Sequence, residues 1–112
     1  MLHTNDAQSQ QTQSKAVTIS RIYHALRQMR LTTEHGRRVK SNTIAHLLSY
    51  EESIRSGHTL NVGALGAAII NMNWMIDHIT HIDDKRVLPS ERLFLCQAAR
   101  ICQQRYDIEK SL

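Results

Sequence analysis

Hydrophobic residues recur at intervals of three and four positions along most of this chain, which is the spacing of an α-helix with one buried side. No stretch alternates hydrophobic and polar residues as a half-buried strand does. The pattern predicts four helices: from about Val17 to Glu34, from Ser41 or Thr43 to Arg55, from an N-cap at Asn61 to about Ile82, and from Pro89 or Ser90 onward. We therefore expect an all-α fold, a small bundle of about four helices with short connections.

The ends of these helices are predicted from local residue preferences. Gly36 and Gly57 follow the first two periodic segments, and glycine readily adopts the left-handed conformation that commonly ends a helix. Asn61 is a favoured N-cap, and proline is accepted in a first helical turn. Residues 83–86 are all charged and are expected to form a solvated turn.

The chain divides by composition into a tail and one domain. Residues 1–15 contain many Gln, Ser and Thr residues and few large hydrophobic ones. Such a composition does not offset the entropy lost on ordering, so we expect a disordered polar tail. Residues 16–112 are expected to form a single helical domain, which is a normal size for one core.

The third predicted helix is hydrophobic on two sides. One side carries a regular apolar seam, formed by Val62, Leu65, Ile69, Met72, Ile76 and Ile79. The other side carries small or apolar residues as well, namely Gly63, Ala67, Ile70 and Trp74. A helix of this kind is buried on both sides. We expect the first side to face the core and the second to form the interface of a homodimer, the commonest symmetric assembly.

The fourth helix has one regular apolar stripe and a second, weaker one. The regular stripe consists of Leu95, Ala98, Ala99, Cys102 and Tyr106, and the weaker one of Phe94, Ile101 and Ile108. Within one helix Cys96 and Cys102 lie beyond disulfide reach. We interpret both as small core residues in a reducing compartment. Because no early segment combines basic residues with an apolar run, we expect no secretion signal and a cytoplasmic location.

The sequence contains no arrangement typical of catalysis. No glycine-framed nucleophile and no phosphate-binding loop occurs, so we expect a protein that is not an enzyme and uses no cofactor. His78 and His81, with nearby aspartates, suggest a zinc site, but no third ligand is fixed by spacing. We favour the interpretation that these polar residues mark where the third helix reaches water.

Positive charge is concentrated in one part of the chain. Between Lys15 and Lys40 there are seven basic residues and one acidic residue. A helix, a glycine turn and a second helix in this segment outline a helix-turn-helix, so an alternative function is a DNA-binding transcriptional regulator that uses residues 15–40. Thr32 and Asn42 fit the expected small and aliphatic positions of that motif poorly. A solvated basic surface explains the charges nearly as well.

A protein partner is the favoured hypothesis. Apolar anchors usually dominate binding free energy, whereas charges at the rim mainly change the association rate. The candidate anchors, which we expect at an exposed edge of the first or third helix, are Ile19, Ile22, Tyr23 and Trp74. The candidate steering charges are Arg27 and Arg30. An alternative interpretation of Trp74 is that it belongs to the core.

Two segments, AVTISRIYHALRQMR and LNVGALGAAIINMNWMIDHI, carry a resemblance that covers about a third of the chain. In size, helical pattern and charge the chain resembles the small QslA-type anti-activators of bacterial quorum sensing. This resemblance implies an all-helical homodimer that sequesters a LuxR-type transcription factor and blocks its dimerisation. No diagnostic motif aligns, so the resemblance assigns no individual residue.

Overall fold

The computed structural model describes residues 18–57, 59–78 and 89–111. These residues form four α-helices and contain no strand: α1 over residues 18–28, α2 at Glu34–Arg55, α3 at Val62–His78 and α4 at Pro89–Lys110. The predicted all-α fold of four helices is therefore confirmed. The predicted tail, the end of the third helix near Ile82 and the charged turn at 83–86 lie outside the described residues.

The core is mostly aliphatic and draws on all four helices. Helix α3 packs against both α2 and α4. Fully buried side chains come from each helix, among them Leu26, Leu47, Leu65, Met72 and Leu95. Burying a side chain of this size contributes about 1.5–3 kcal/mol, so these contacts provide the main driving force for the fold.

The connection between α1 and α2 differs from the prediction. Helix α1 ends at residue 28, and α2 already begins at Glu34. The predicted end of the first helix at Glu34, with Gly36 as its terminator, and the predicted start of the second at Ser41 or Thr43 are therefore wrong. Thr33 is the N-cap of α2, and its side chain accepts a hydrogen bond from the backbone nitrogen of Gly36 at 3.0 Å. Gly36 is therefore a buried residue in the first turn of a helix, and not the residue that ends one.

The other helix ends agree with the sequence. Gly57 has φ +72°, the left-handed conformation expected after α2. The Asn61 side chain accepts a hydrogen bond from the backbone nitrogen of Ala64 at 3.1 Å and caps α3. Asn61 also donates from its side chain to Ser49 Oγ at 2.9 Å, which ties the start of α3 to α2. Helix α4 begins at Pro89, as predicted.

The apolar stripe of α1 is part of the core. Ile19, Ile22 and Tyr23 are 0%, 4% and 8% exposed, so the expectation that they lie at an exposed edge is wrong. The Tyr23 hydroxyl donates to Glu51 Oε1 at 3.4 Å, across to α2. A helix with a single apolar stripe uses that stripe to pack against its own domain. These three side chains therefore do not form a surface that a partner can reach.

Candidate functional site

The four predicted dimer residues lie together on one side of α3, which we call the α3 face: Gly63, Ala67, Ile70 and Trp74. At 100° per residue they fall within roughly 60° of one another, opposite the buried Leu65 and Met72. Ile70 is 69% exposed, Gly63 is exposed, and Ala67 and Trp74 are half-buried. Among the described residues, none covers Gly63 or Ile70 on this face, whereas Ala67 and Trp74 are partly covered.

Trp74 is held at the edge of the α3 face by two histidines. His78, one turn later, stacks on the indole with ring centroids 4.6 Å apart and planes inclined by 8°. His35, in the first turn of α2, contacts the indole edge-on at 4.8 Å. Contacts from two helices restrict the rotation of the indole, which lowers the entropy that this ring loses on binding.

A groove runs beside Ile70 between α3 and α4. It has a volume of about 350 Å³ and is lined by Gly63, Gly66, Ile69, Ile70, Gln103 and Tyr106. At Gly66 an added Cβ would lie 3.0 Å from the Tyr106 ring, so the absence of a side chain lets the two helices pack closely. At Gly63 an added Cβ would meet only Asn61 Oδ1, at 3.8 Å. Packing within the chain therefore explains Gly66 but not Gly63.

A second exposed apolar surface lies on the outer side of α4. Leu93, Ile101 and Ile108 are 59%, 38% and 63% exposed. Together with Gln97 and Gln104 they form a line that we call the α4 seam, with successive spacings of four, four, three and four residues. The weaker stripe predicted from sequence contains Phe94, Ile101 and Ile108; Phe94 is half-buried, and the exposed Leu93 is not predicted. The signal was present in this spacing, which is typical of a helix–helix seam.

Two basic residues of the 15–40 segment bind backbone carbonyl groups. Arg37 Nη1 donates to the carbonyl oxygens of Leu31 at 3.2 Å and Thr32 at 2.8 Å. Lys40 Nζ donates to the carbonyl oxygen of Met29 at 3.0 Å. The carbonyl groups that follow a helix end need partners, and these cations supply them. Part of the basic cluster thus holds α1 to α2.

Other cations among the described residues of this segment lie at the surface. Arg38 forms an ion pair with Glu34 at 3.2 Å, and Arg27 lies over the Tyr23 ring at 5.1 Å. Arg30 is exposed. The candidate steering charges Arg27 and Arg30 are therefore accessible, whereas the apolar α1 residues beside them are buried.

Two buried carboxyl groups contact tyrosines in the interior. The Tyr50 hydroxyl donates to Glu109 Oε1 at 2.5 Å, linking α2 to α4, and both residues are buried. Burial and the Glu109 carboxylate raise the pKa of Tyr50 well above its ordinary value, so the hydroxyl remains a donor. Glu51 accepts a hydrogen bond from the Tyr23 hydroxyl and forms an ion pair with Arg55 at 3.4 Å.

Both cysteines are free, as the interpretation from spacing predicts. Cys102 is fully buried, and burial raises the pKa of its thiol to about 11 although Arg105 lowers it. A thiol with this pKa stays protonated at neutral pH and packs as a small apolar side chain. Cys96 is half-buried, so it is less enclosed than predicted.

Within the described parts of the chain, no three His, Cys, Asp or Glu side chains are grouped as metal ligands. His81, the other member of the predicted pair with His78, lies outside the described residues. Among the helices described, none is both long and apolar enough to span a bilayer.

Comparisons with protein-family models, curated proteins and solved structures found no match to this chain. The candidate surfaces above therefore depend on the geometry alone.

Proposed function

We propose that this chain is a small non-enzymatic regulatory protein that acts by binding another protein. The observation that carries the proposal is the uncovered α3 face, where Ile70 is 69% exposed next to a rigidly held Trp74. Exposed apolar patches of this kind are typical of protein–protein interfaces. Aromatic side chains such as Trp74 are common among the residues that dominate binding free energy.

The specific form of the proposal is a cytoplasmic homodimeric anti-activator. In this hypothesis the α3 face joins two copies, and the dimer sequesters a LuxR-type transcription factor and prevents the factor from dimerising. Support comes from the sequence resemblance and from the clustering of Gly63, Ala67, Ile70 and Trp74 on one exposed face. Small residues at such a face allow two helix backbones to approach closely.

Oligomeric state tests the dimer directly. Light scattering at micromolar concentration should give twice the 12.9 kDa mass of one chain. Ile70→Glu should give the monomer, because a carboxylate would be buried at the interface. Ala45→Glu is the matched control, since Ala45 is an exposed position on α2 and the charge change is the same. A monomeric wild-type chain would contradict the dimer.

Co-expression with a LuxR-type transcription factor tests the partner class. A stoichiometric complex that lowers the factor's dimer fraction supports the proposal. Submicromolar binding to duplex DNA that weakens steeply with salt would instead favour the DNA-binding alternative, because DNA binding releases counterions from phosphates. Neutralising Arg37 would then weaken DNA binding, although its contacts to Leu31 and Thr32 require a parallel folding control.

A further inference from the structure

We infer that two copies of this chain pair through antiparallel α3 helices, with Ile70 of each copy inserted into the groove between α3 and α4 of the other. This inference rests on the proposed function, which assigns the α3 face to a second copy but fixes neither the direction nor the register of the pairing. It follows from the order of small and large residues on the α3 face, from the shape of the groove, and from two exposed charges near the ends of α3.

Small and large residues of the α3 face match when two such faces meet in opposite directions. Gly63 and Trp74 are equally distant from the midpoint between residues 68 and 69, and so are Ala67 and Ile70. A two-fold axis through that midpoint places the smallest residue of the face opposite the largest, and alanine opposite isoleucine. Parallel pairing would set Trp74 against Trp74 and leave a gap between the two copies of Gly63. Close packing of side chains therefore favours the antiparallel direction.

The groove beside Ile70 has the form of a hole for a side chain of another helix. Such a hole is bordered by four residues of one helix. On α3 these four are Gly63, Gly66, Ala67 and Ile70. All but Ala67 line the groove, which has a volume of about 350 Å³. In the antiparallel register Ile70 of the second copy lies opposite Ala67, above this hole, and its 69% exposed side chain becomes buried.

The missing side chain at Gly63 has a physical reason in this arrangement. Glycine within a helix is destabilising relative to alanine. Among the described residues an added Cβ would meet only Asn61 Oδ1, at 3.8 Å, so packing within the chain does not require glycine here. Trp74 of the second copy lies opposite this position and packs on the bare backbone. His35 and His78 restrict the indole, which limits the entropy lost when it packs there.

Two opposite charges lie near the two ends of α3, on the side of the groove. Asp77 follows Ile70 by two turns and is exposed. Tyr106, near the end of α4, contacts Gly66, near the start of α3, so these two helices run in opposite directions. Lys110 lies one turn after Tyr106 and donates to its hydroxyl at 3.3 Å. This exposed cation therefore lies beside the start of α3.

Antiparallel pairing brings these charges together. A two-fold axis perpendicular to the helices keeps the α4 helices of both copies on the same side of the interface. In the register above, Asp77 of one copy lies opposite residue 60 of the other, just before α3 begins. Lys110 of that second copy lies at the same end and on the same side. The dimer thus contains two Asp77–Lys110 pairs at its rim, and this complementarity favours the register over shifted ones.

An exchange of side-chain size between copies tests the register. Gly63→Leu should weaken the homodimer because leucine meets Trp74 of the second copy, and Trp74→Ala should weaken it because the indole contact is lost. In a mixture of the two variants, each heterodimer keeps one Gly63–Trp74 contact and sets leucine against alanine at the other. Native mass spectrometry should show heterodimers in at least about fivefold excess over homodimers, since overpacking is relieved. Circular dichroism verifies that each variant is folded.

An exchange of charge tests the same register without changing the α3 face, and it decides alone if Trp74→Ala does not fold. Asp77→Lys and Lys110→Glu should each raise the dissociation constant of the homodimer by roughly fivefold, because each creates two like-charge contacts. A mixture of these two variants should dimerise like the wild-type chain, because both contacts of the heterodimer join opposite charges. Arg21→Glu, at an exposed position on α1, is the matched control for Lys110→Glu and should leave dimerisation unchanged. Light scattering over a dilution series measures all four.

Three results would overturn the inference: a monomeric wild-type chain, no excess of heterodimers in the size exchange, or no recovery of dimerisation in the charge exchange. The proposed function is tested separately with the transcription factor. If the wild-type chain is a dimer that binds the factor and neither mixture restores pairing, this register is wrong and the proposed function stands. If both mixtures pair as expected and the factor does not bind, the inference stands and the proposed function is wrong.

Discussion

Helices α1 and α3 both carry apolar residues at helical spacing, but the structure uses them differently. Helix α1 has one apolar stripe, and its members Ile19, Ile22 and Leu26 are all buried. Helix α3 has two, and only one of them is buried, while the other leaves Ile70 69% exposed. A helix with a single apolar stripe therefore uses that stripe for the core of its own domain. Only a second stripe on the same helix indicates a surface for binding.

The same contrast divides the two sides of α4. Its inner side buries Leu95, Ala98 and Cys102, whereas Leu93 and Ile108 on its outer side are exposed. Buried polar contacts follow this division, since Glu109 meets Tyr50 on the inner side. We expect inner and outer side chains to differ in their contribution to stability as they differ in position.

Truncating a core side chain of α1 should have the largest effect. Leu26→Ala should lower the free energy of unfolding by about 2–5 kcal/mol, because Leu26 is fully buried and its truncation leaves a cavity. Ile70→Ala should lower it by less than about 0.5 kcal/mol, as is usual for an exposed position. Urea unfolding followed by fluorescence of Trp74, the single tryptophan, measures both.

Both variants should be measured at low protein concentration, because self-association would stabilise the folded chain and add to the measured free energy of unfolding. Equal losses for the two variants would remove the distinction between α1 and the α3 face. A large loss for Ile70→Ala that grows with protein concentration would instead support the proposed dimer.

Removing the tyrosine hydroxyl between α2 and α4 should have the next largest effect. Tyr50→Phe should lower the free energy of unfolding by about 1–3 kcal/mol, because the buried Glu109 loses a hydrogen-bond donor. Replacing Tyr106 by Phe is the matched control, since its hydroxyl contacts only the exposed Lys110 among the described hydrogen bonds. A larger loss for Tyr106→Phe than for Tyr50→Phe would contradict the buried contact.

The free energy of unfolding should fall as the pH rises above 9, because Cys102 is buried on the inner side of α4. The pKa of Cys102 is raised from 9.0 to about 11 in the folded chain, so the unfolded chain releases this proton first. The contribution of Cys102 is therefore complete below pH 9 and is lost between pH 9 and about 11, at up to about 1.4 kcal/mol per pH unit. Cys102→Ala should flatten this part of the stability profile measured by urea unfolding. An unchanged slope would mean that the thiol is accessible to solvent when folded.

The helices of this fold could be predicted from sequence because their signals are local. Gly57 and Asn61 act through their own backbone conformation and side chain, and both were placed correctly. The α1–α2 connection is predicted wrongly for two reasons. Gly36 suggests a helix end, although Thr33 three residues earlier is a local N-cap signal that the prediction overlooks. The end of α1 also depends on contacts distant in sequence. Lys40, for example, reaches back eleven residues to the carbonyl group of Met29, and no local preference contains that information.

The candidate site was predicted only in part, again for a physical reason. Periodicity shows which residues share a side of a helix, and it grouped Gly63 with Ile70 correctly. It does not show which side another helix covers. Tyr23 on α1 is therefore predicted to contact a partner but is buried, whereas Leu93 on α4 is exposed and is not predicted.

The two glycines of α3 provide the smallest and most specific test of the α3 face. Gly63→Ala should raise the free energy of unfolding by at most about 0.5–1 kcal/mol, because alanine favours the helix and the added Cβ meets only Asn61 Oδ1 at 3.8 Å. Gly66→Ala should raise the free energy of unfolding by less, or lower it. Its Cβ would lie 3.0 Å from the Tyr106 ring, so that ring would have to move. If a second copy packs on the α3 face, Gly63→Ala should also weaken the dimer measured by light scattering while it stabilises the single chain. Opposite signs for these two effects would mean that Gly63 makes room for a second chain; a gain in both would remove that reason for glycine at this position.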